Sequence, residues 1–317
     1  MPPAISICVC TFRREEGLRR LLRSLQSLVT ATPTWELIVI DNDAARSADT
    51  IVQLAIADGM KITYDVEPIR NVALARTRSV SRASGEWIAF IDDDEEADPQ
   101  WLAELWKCVH SGHVDAAFGA VSHLFEEGTP QWMRAVYPRQ PRIAGASLGW
   151  RETATNNALV RRSAMTFLDN LFDPKFGLNG EDSELFYRMA NAGFKFVAAP
   201  TARVYERVCA NRANLVYLLR WYFCVGAATT IILNGGGLSA QPAGSLLAGV
   251  RSLASALTGA WVFPLSRLRG TRHLFAAAVQ CGKLYAALTG RLPERYRIPR
   301  SHKVLARRPG FPSPTGT

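Results

Sequence analysis

The chain is 317 residues long, 48% hydrophobic and 21% charged, which excludes wholesale disorder and allows one large core or two modest domains. Its net charge of +9 is unevenly placed: from Cys209 onward 14 Lys or Arg stand against one acid, Glu294, a balance of +13 that leaves −4 for the first 208 residues. An acidic part joined to a basic, apolar one points to an anionic membrane surface as partner of the latter, and without a base-reading motif no nucleic acid is expected.

The first segment, Ala4 to Cys10, is a short apolar run with β-branched residues and reads as a buried strand. Leu18, Leu21, Leu22, Leu25 and Leu28 then recur at helical spacing. A second strand, Glu36 to Ile40, closes on Asp41-Asn42-Asp43. Ile51–Ala57 reads as a helix, Lys61–Tyr64 as a strand, and Val72–Ala83 as a helix leading to the strand Glu86–Phe90. Beyond Pro99 come a helix with Trp101, Leu102, Leu105 and Val109, a strand at Ala116–Val121, and an irregular stretch from Glu126 to Gly149. Asn156–Val160 is a strand, Glu181–Ala190 a helix, and Phe194–Val197 a final strand stopped by Pro200. The alternation predicts an α/β fold, a mostly parallel sheet with helices on both faces, although the Gly-rich phosphate loop of many nucleotide-binding proteins is missing.

The character changes after Cys209. Residues 221–250 and 252–266 carry no charge, yet the strongest apolar run, Trp221 to Leu233, is 13 residues before Asn234 and three glycines break it. A membrane span needs about 20. Helices lying in or against the membrane interface are expected, with arginines, Trp221 and Trp261 at headgroup depth; a helical domain packed on the core is the alternative. The domain expectation is therefore 1–208 catalytic, 209–299 basic, helical and membrane-associating, and 300–317 a disordered tail. The chain enters its first strand almost at once, without a basic-then-apolar leader, so export is not expected. The six cysteines form no CxxC pair and read as reduced core residues, and no zinc site follows from them.

The strand ending at Phe90 runs straight into Ile91-Asp92-Asp93-Asp94-Glu95-Glu96. Carboxylates delivered at the carboxyl end of a strand are how α/β proteins hold a hard divalent cation, whereas like charges left alone there repel. Thr11-Phe12-Arg13-Arg14 ends the first strand, Asp41-Asn42-Asp43 the second, and Gly180-Glu181-Asp182 opens a later helix. Together these four groups describe a cleft lined by carboxylates and one aromatic.

With these motifs the chain resembles the family 2 glycosyltransferases, whose fold is called GT-A. The resemblance covers residues 4–207 and rests on Cys10-Thr11-Phe12, Asp41-Asn42, Arg70 to Arg76, Gly85 to Asp94 and Gly180 to Leu185. Within the family it is most like bacterial exopolysaccharide glycosyltransferases of the succinoglycan type, because of Ala202 to Val208 and the basic helical segment after it. The resemblance implies a UDP-sugar donor bound by Cys10, Thr11, Phe12, Arg13, Asp41, Arg70, Asp92 and Asp93. In that reading Phe12 stacks on the uracil, Asp41 accepts from its N3–H, and Arg70 lies near base and diphosphate. Asp92 holds ribose or sugar hydroxyls, and Asp94 ligates Mg²⁺ or Mn²⁺, with Glu206 as a second candidate ligand. Asp182 is the general base, with Glu181 orienting it or raising its pKa by like-charge repulsion.

The implied reaction is inverting transfer of a hexose, glucose from UDP-glucose, to a polyprenyl-diphosphate-linked saccharide in exopolysaccharide synthesis, at the cytoplasmic face of the bacterial inner membrane. Two departures stand out: Arg13 where the family often has Asn, and Tyr205-Glu206 where many members place a His. Glu206 could instead pair with Arg203 or Arg207, and the five histidines fall outside the motifs. The rival readings are a nucleotidyl- or phosphotransferase, which would need the absent GxxxxGK[ST] loop, and a non-catalytic nucleotide-sugar-binding membrane protein.

Overall fold

The computed structural model describes residues 3–29, 33–110, 114–138, 142–168, 170–177, 179–235 and 242–293, the side chains of 242–248 excepted. The tail expected from residue 300 lies outside the described residues.

Apolar runs buried on both faces become the centre of one mixed sheet. It contains β1 (Ile5–Thr11), β2 (Trp35–Asp41), β3 (Ile62–Val66), β4 (Trp87–Ile91), β5 (Glu95–Ala97), β6 (Ala116–Phe125), β7 (Asn157–Arg161) and β8 (Phe196–Val208). The order across the eight strands is β3-β2-β1-β4-β7-β6-β8-β5. The first four in that order run parallel, β7 is antiparallel to both of its neighbours, and β5 is antiparallel to β8.

Helices cover both faces. On one lie α1 (Glu15–Gln26), α2 (Asp49–Ala57) and α4 (Trp101–His110), packed through Leu18, Leu21, Leu25, Val52, Trp101 and Leu105. On the other lie α3 (Val72–Arg82), α6 (Arg162–Thr166) and α7 (Glu181–Asn191), packed through Ala75, Met165, Leu185 and Phe186. A short α5 (Gln131–Val136) sits in the stretch expected to be irregular. Burying each of the α1 leucines is worth about 2 kcal/mol, which explains why helical spacing alone located that helix.

Pro200 does not stop the last strand. Ala199 faces Gly119 and Arg203 faces Ala120, so residues 200–202 bulge out of the ladder and the missing N–H of Pro200 costs no strand hydrogen bond. The Asn157 amide closes the bulge by donating to the carbonyls of Ala120 and Ala202 at 3.0 and 2.9 Å. Beyond the bulge β8 continues to Val208, carrying Glu206 inward.

Three long helices follow: α8 (Leu215–Leu233), α9 (Pro242–Val262) and α10 (Arg267–Thr289). With Asn214 capping it, α8 begins six residues before the apolar run at Trp221, and at 19 residues it is long and apolar enough to cross a membrane by length and composition. It is also packed. A Cβ on Gly226 would lie 2.0 Å from the Val279 carbonyl, so only glycine lets α8 and α10 approach this closely. The Asn179 amide donates to the Cys224 carbonyl at 3.0 Å, fixing α8 to the turn that precedes α7.

Candidate active site

The carboxyl ends of β1 and β4, the far half of β8, the start of α7 and one face of α8 enclose a cavity of about 750 Å³. This is the crevice that an α/β sheet opens beyond its strand ends.

Cys10, Thr11, Phe12 and Arg13 line one wall. Burial pushes the Cys10 thiol up to about 12, so it is neutral wall rather than nucleophile. The Phe12 ring has the Arg70 guanidinium 4.5 Å and the Arg13 guanidinium 5.1 Å from its centroid, a platform suited to a planar base. Arg13 has φ +53°, in the left-handed region that Asn tolerates better than Arg, and its side chain is held by Asp43 at 2.7 Å. An Asn would adopt that geometry with less strain than Arg does. The same geometry directs the Arg13 guanidinium to a carboxylate.

Asp41 is not on the cavity wall. It is fully buried, and its oxygens accept from the backbone N–H of Asp43 and Ala48 and from the Tyr64 hydroxyl, at 3.1, 2.7 and 3.0 Å. It is set in the turn after β2, behind that wall. Asn42 reaches the wall instead, with its amide donated to the carbonyls of Glu67 and Ile69.

The acidic turn is compensated by arginines. Arg14 reaches Asp93 at 2.8 Å and Asp94 at 2.9 Å, and Thr11 donates to Asp93 at 2.8 Å. Arg212, just before α8, reaches Asp94 at 2.7 Å and Glu206 at 2.6 Å. Burial acts to raise the Asp94 carboxyl, but Arg14 and Arg212 outweigh it and hold the group below the usual carboxylate range. Asp93 is raised, chiefly by burial. Glu95, almost fully buried near Asp92, Asp94 and Glu206, is pushed well up by burial first and by those charges second.

Glu206 pairs with neither Arg203 nor Arg207. Its partners are Arg212 and His123, whose Nε2 lies 3.2 Å away on β6. His123, set aside on sequence, therefore stands on the cavity wall beside the acidic turn. Its signal was the period-2 row Gly119, Val121, His123, all three facing the cavity.

Among the described residues no three Asp, Glu, His or Cys side chains are gathered into a ready-made metal cage. Asp92, the more open, and Asp94, held ionised, are nevertheless the pair of hard oxygens that Mg²⁺ or Mn²⁺ accepts when a diphosphate completes its coordination. The donor set fits such an ion.

Asp182, in the first turn of α7, faces the same cavity half-exposed, its Oδ1 accepting from the Ser183 N–H at 2.7 Å. Glu181 is buried and tied to Arg76 on α3, which also holds Asp92 at 3.1 Å. Arg76 was visible in sequence as the residue one helical turn beyond Val72, another wall residue, but its two acidic partners were not. Gly180, which precedes the pair, has φ +87°, and a Cβ there would lie 2.9 Å from Ala228 of α8. Gly180→Ala should cost about 1–2 kcal/mol, read as a lowered thermal midpoint; an unchanged midpoint would mean that α7 and α8 are not locked together here.

Residues 6–167 match the family model described as glycosyl transferase family 2. The succinoglycan biosynthesis protein ExoM of Rhizobium meliloti (strain 1021) is 32% identical over 92% of this chain and 95% of its own. A mannosyltransferase from Pyrobaculum calidifontis, solved with GDP-Man and Mn²⁺, superposes with a TM-score of 0.59 at 17% identity, over 89% of this chain and 87% of its own. TarS 1-349 of S. aureus, solved with UDP, gives 0.53 at 17% identity over 92% of each chain. These two share the fold alone. Strand-end carboxylates, an aromatic platform and a helix-borne acid in one crevice, together with a match over half the chain and a full-length relative, place this protein in glycosyl transferase family 2, a glycosyltransferase with the GT-A fold.

Proposed function

We propose that the protein transfers a hexose with inversion from a UDP-sugar, UDP-glucose by family analogy, to a polyprenyl-diphosphate-linked saccharide during exopolysaccharide synthesis. The observation that carries this reading is that Asp182 shares one cavity with the Phe12–Arg70 platform and the Asp92–Asp94 turn. Likeness to the succinoglycan protein supports the polysaccharide context. The cytoplasmic face of the inner membrane, where nucleotide sugars meet lipid carriers, is the matching place.

The residues divide the work. Phe12 offers its ring as the stacking surface for the base, with Arg70 beside base and diphosphate. Asp92 accepts from ribose or sugar hydroxyls, and Asp94 is the metal-binding carboxylate. Mg²⁺ or Mn²⁺, when bound, supplies Lewis-acid stabilisation of the charge that develops on the leaving diphosphate. Arg14 and Arg212 add fixed positive charge on the same side. Asp182 takes the proton from the acceptor hydroxyl as that oxygen forms its bond to the anomeric carbon, opposite the breaking bond to the diphosphate. Glu206, bound by Arg212 and His123, anchors Arg212 and is proposed as a positioning carboxylate. Residues 1–208 form the donor-binding part, and α8 completes its wall through Trp221, Val225 and Thr229.

Calorimetric titration with UDP and Mn²⁺ tests the donor site. Wild type should bind UDP only with metal present, and Asp94→Ala should lose roughly 100-fold or more in affinity, as for loss of one buried, charge-assisted ligand. Absence of UDP binding in the presence of Mn²⁺ would remove the uridine assignment of the Phe12 platform.

A further inference from the structure

We infer that this protein docks on an anionic lipid bilayer through the outer face of α9 and the turn after it, lying on the surface without crossing it. The inference rests on the membrane setting proposed above and names the element, the face and the lipid charge that carry it.

Two faces of α9 have opposite character. Ser252 and Gly259 point at α10: the Ser252 hydroxyl donates to the Ala277 carbonyl at 3.2 Å, and a Cβ on Gly259 would meet Leu274 at 2.8 Å. Half a turn around the helix, Val250, Leu253, Leu257 and Trp261 fall within one narrow arc at spacings of three, four and four. All four are exposed, Trp261 at 81%, and Leu265 in the following turn at 87%. A row of large apolar side chains in water, ending in a tryptophan, is the form of an interfacial membrane helix.

Charge selects the occupant. Arg251 of α9 and Arg267, Arg269 and Arg272 in the first turns of α10 are exposed, and no Asp or Glu occurs between Cys209 and Pro293. A second copy would bring more of the same arginines and no acid to answer them. Anionic headgroups answer all of them, while the apolar row enters the acyl boundary and Trp261 sits at headgroup depth.

Length alone would nominate α8 as the membrane element. Its faces are already committed: Gly226 is pressed on α10, the Cys224 carbonyl accepts from Asn179, and Trp221, Val225 and Thr229 line the cavity. Drawing α8 into lipid would open the active site. α9 reaches the bilayer without disturbing it.

The full chain, the double variant L257E/W261E and the double variant R269Q/R272Q are sedimented with vesicles of phosphatidylglycerol and phosphatidylethanolamine, and with phosphatidylcholine vesicles. Each is also titrated with UDP and Mn²⁺. Wild type should partition to the anionic vesicles, L257E/W261E should lose roughly ten-fold or more of that partitioning, and R269Q/R272Q should lose the preference for anionic lipid. UDP binding should be the same in all three, so a folding defect or a failure of the donor-site reading is seen separately. Equal partitioning of L257E/W261E and wild type overturns the assignment. So does a wild type that ignores both vesicles, a dimer that L257E/W261E dissociates, or a protein that resists alkaline carbonate extraction from cell membranes.

Discussion

Replacing Asp182 with asparagine should leave UDP and Mn²⁺ binding intact and lower sugar transfer by about 10²–10⁴-fold, the usual contribution of a general base. Asparagine keeps the size of the side chain and its acceptor oxygen for the Ser183 N–H, so the first turn of α7 should hold. What is lost is the ability to receive the acceptor's proton. Transfer is read as radiolabel moved from the UDP-sugar to the lipid fraction of membranes, beside a calorimetric measure of nucleotide affinity. Activity within ten-fold of wild type would remove Asp182 from the base role, and a parallel loss of UDP binding would make it a donor-site residue instead. Glu181→Gln is the control: Glu181 is tied to Arg76, so its effect should be on stability more than on the proton-transfer step.

The second large effect is on folding. Arg76 is buried and bridges Glu181 and Asp92, two carboxylates from opposite ends of the site. Arg76→Ala removes the cation that both share and should cost about 3–5 kcal/mol, the range measured when one member of a buried ion pair is removed. Urea unfolding of the purified protein measures it. Adding Glu181→Gln to Arg76→Ala should restore part of the loss, because it removes one of the stranded charges. A single Arg76→Ala variant within about 1 kcal/mol of wild type would show that water reaches these acids freely.

What the sequence made legible was periodic or terminal. Helical leucines located α1, and apolar runs closed by polar residues located β1, β2 and β4 together with the loops that carry Phe12 and Asp92–Asp94. Pairings across long separations were invisible. Arg14 and Arg76 stood in recognised motifs and Arg212 in none, but the acids that each of the three pairs with could not be read. The pairing of His123 gave no sign beyond its place in a period-2 row, because its partner Glu206 is brought beside it only by the β6–β8 ladder. Asp41 looked like a ligand residue because its motif did, and the local turn claims its oxygens. Pro200 looked like a terminator, since a bulge that tolerates proline leaves no periodic trace. The extent of α8 was underestimated because Arg220 interrupts its hydropathy but not its helix.

The placement of β5 bears on timing. β4 ends at Ile91 and β5 begins at Glu95, yet β5 closes the opposite edge of the sheet order by pairing with β8. Both ends of the Asp92–Asp94 turn are thus pinned, one by a strand already made and the other by a strand 111 residues further along, at the distance of the Glu96–Arg207 ion pair. During synthesis the nascent chain can lay down its parallel half early, but β5 has no strand partner until the far half of β8 has emerged. Such long-range closure is entropically costly and slow. A ribosome-bound intermediate ending near residue 167, where the family match ends, would hold most of the nucleotide-facing strands and still lack a set active site.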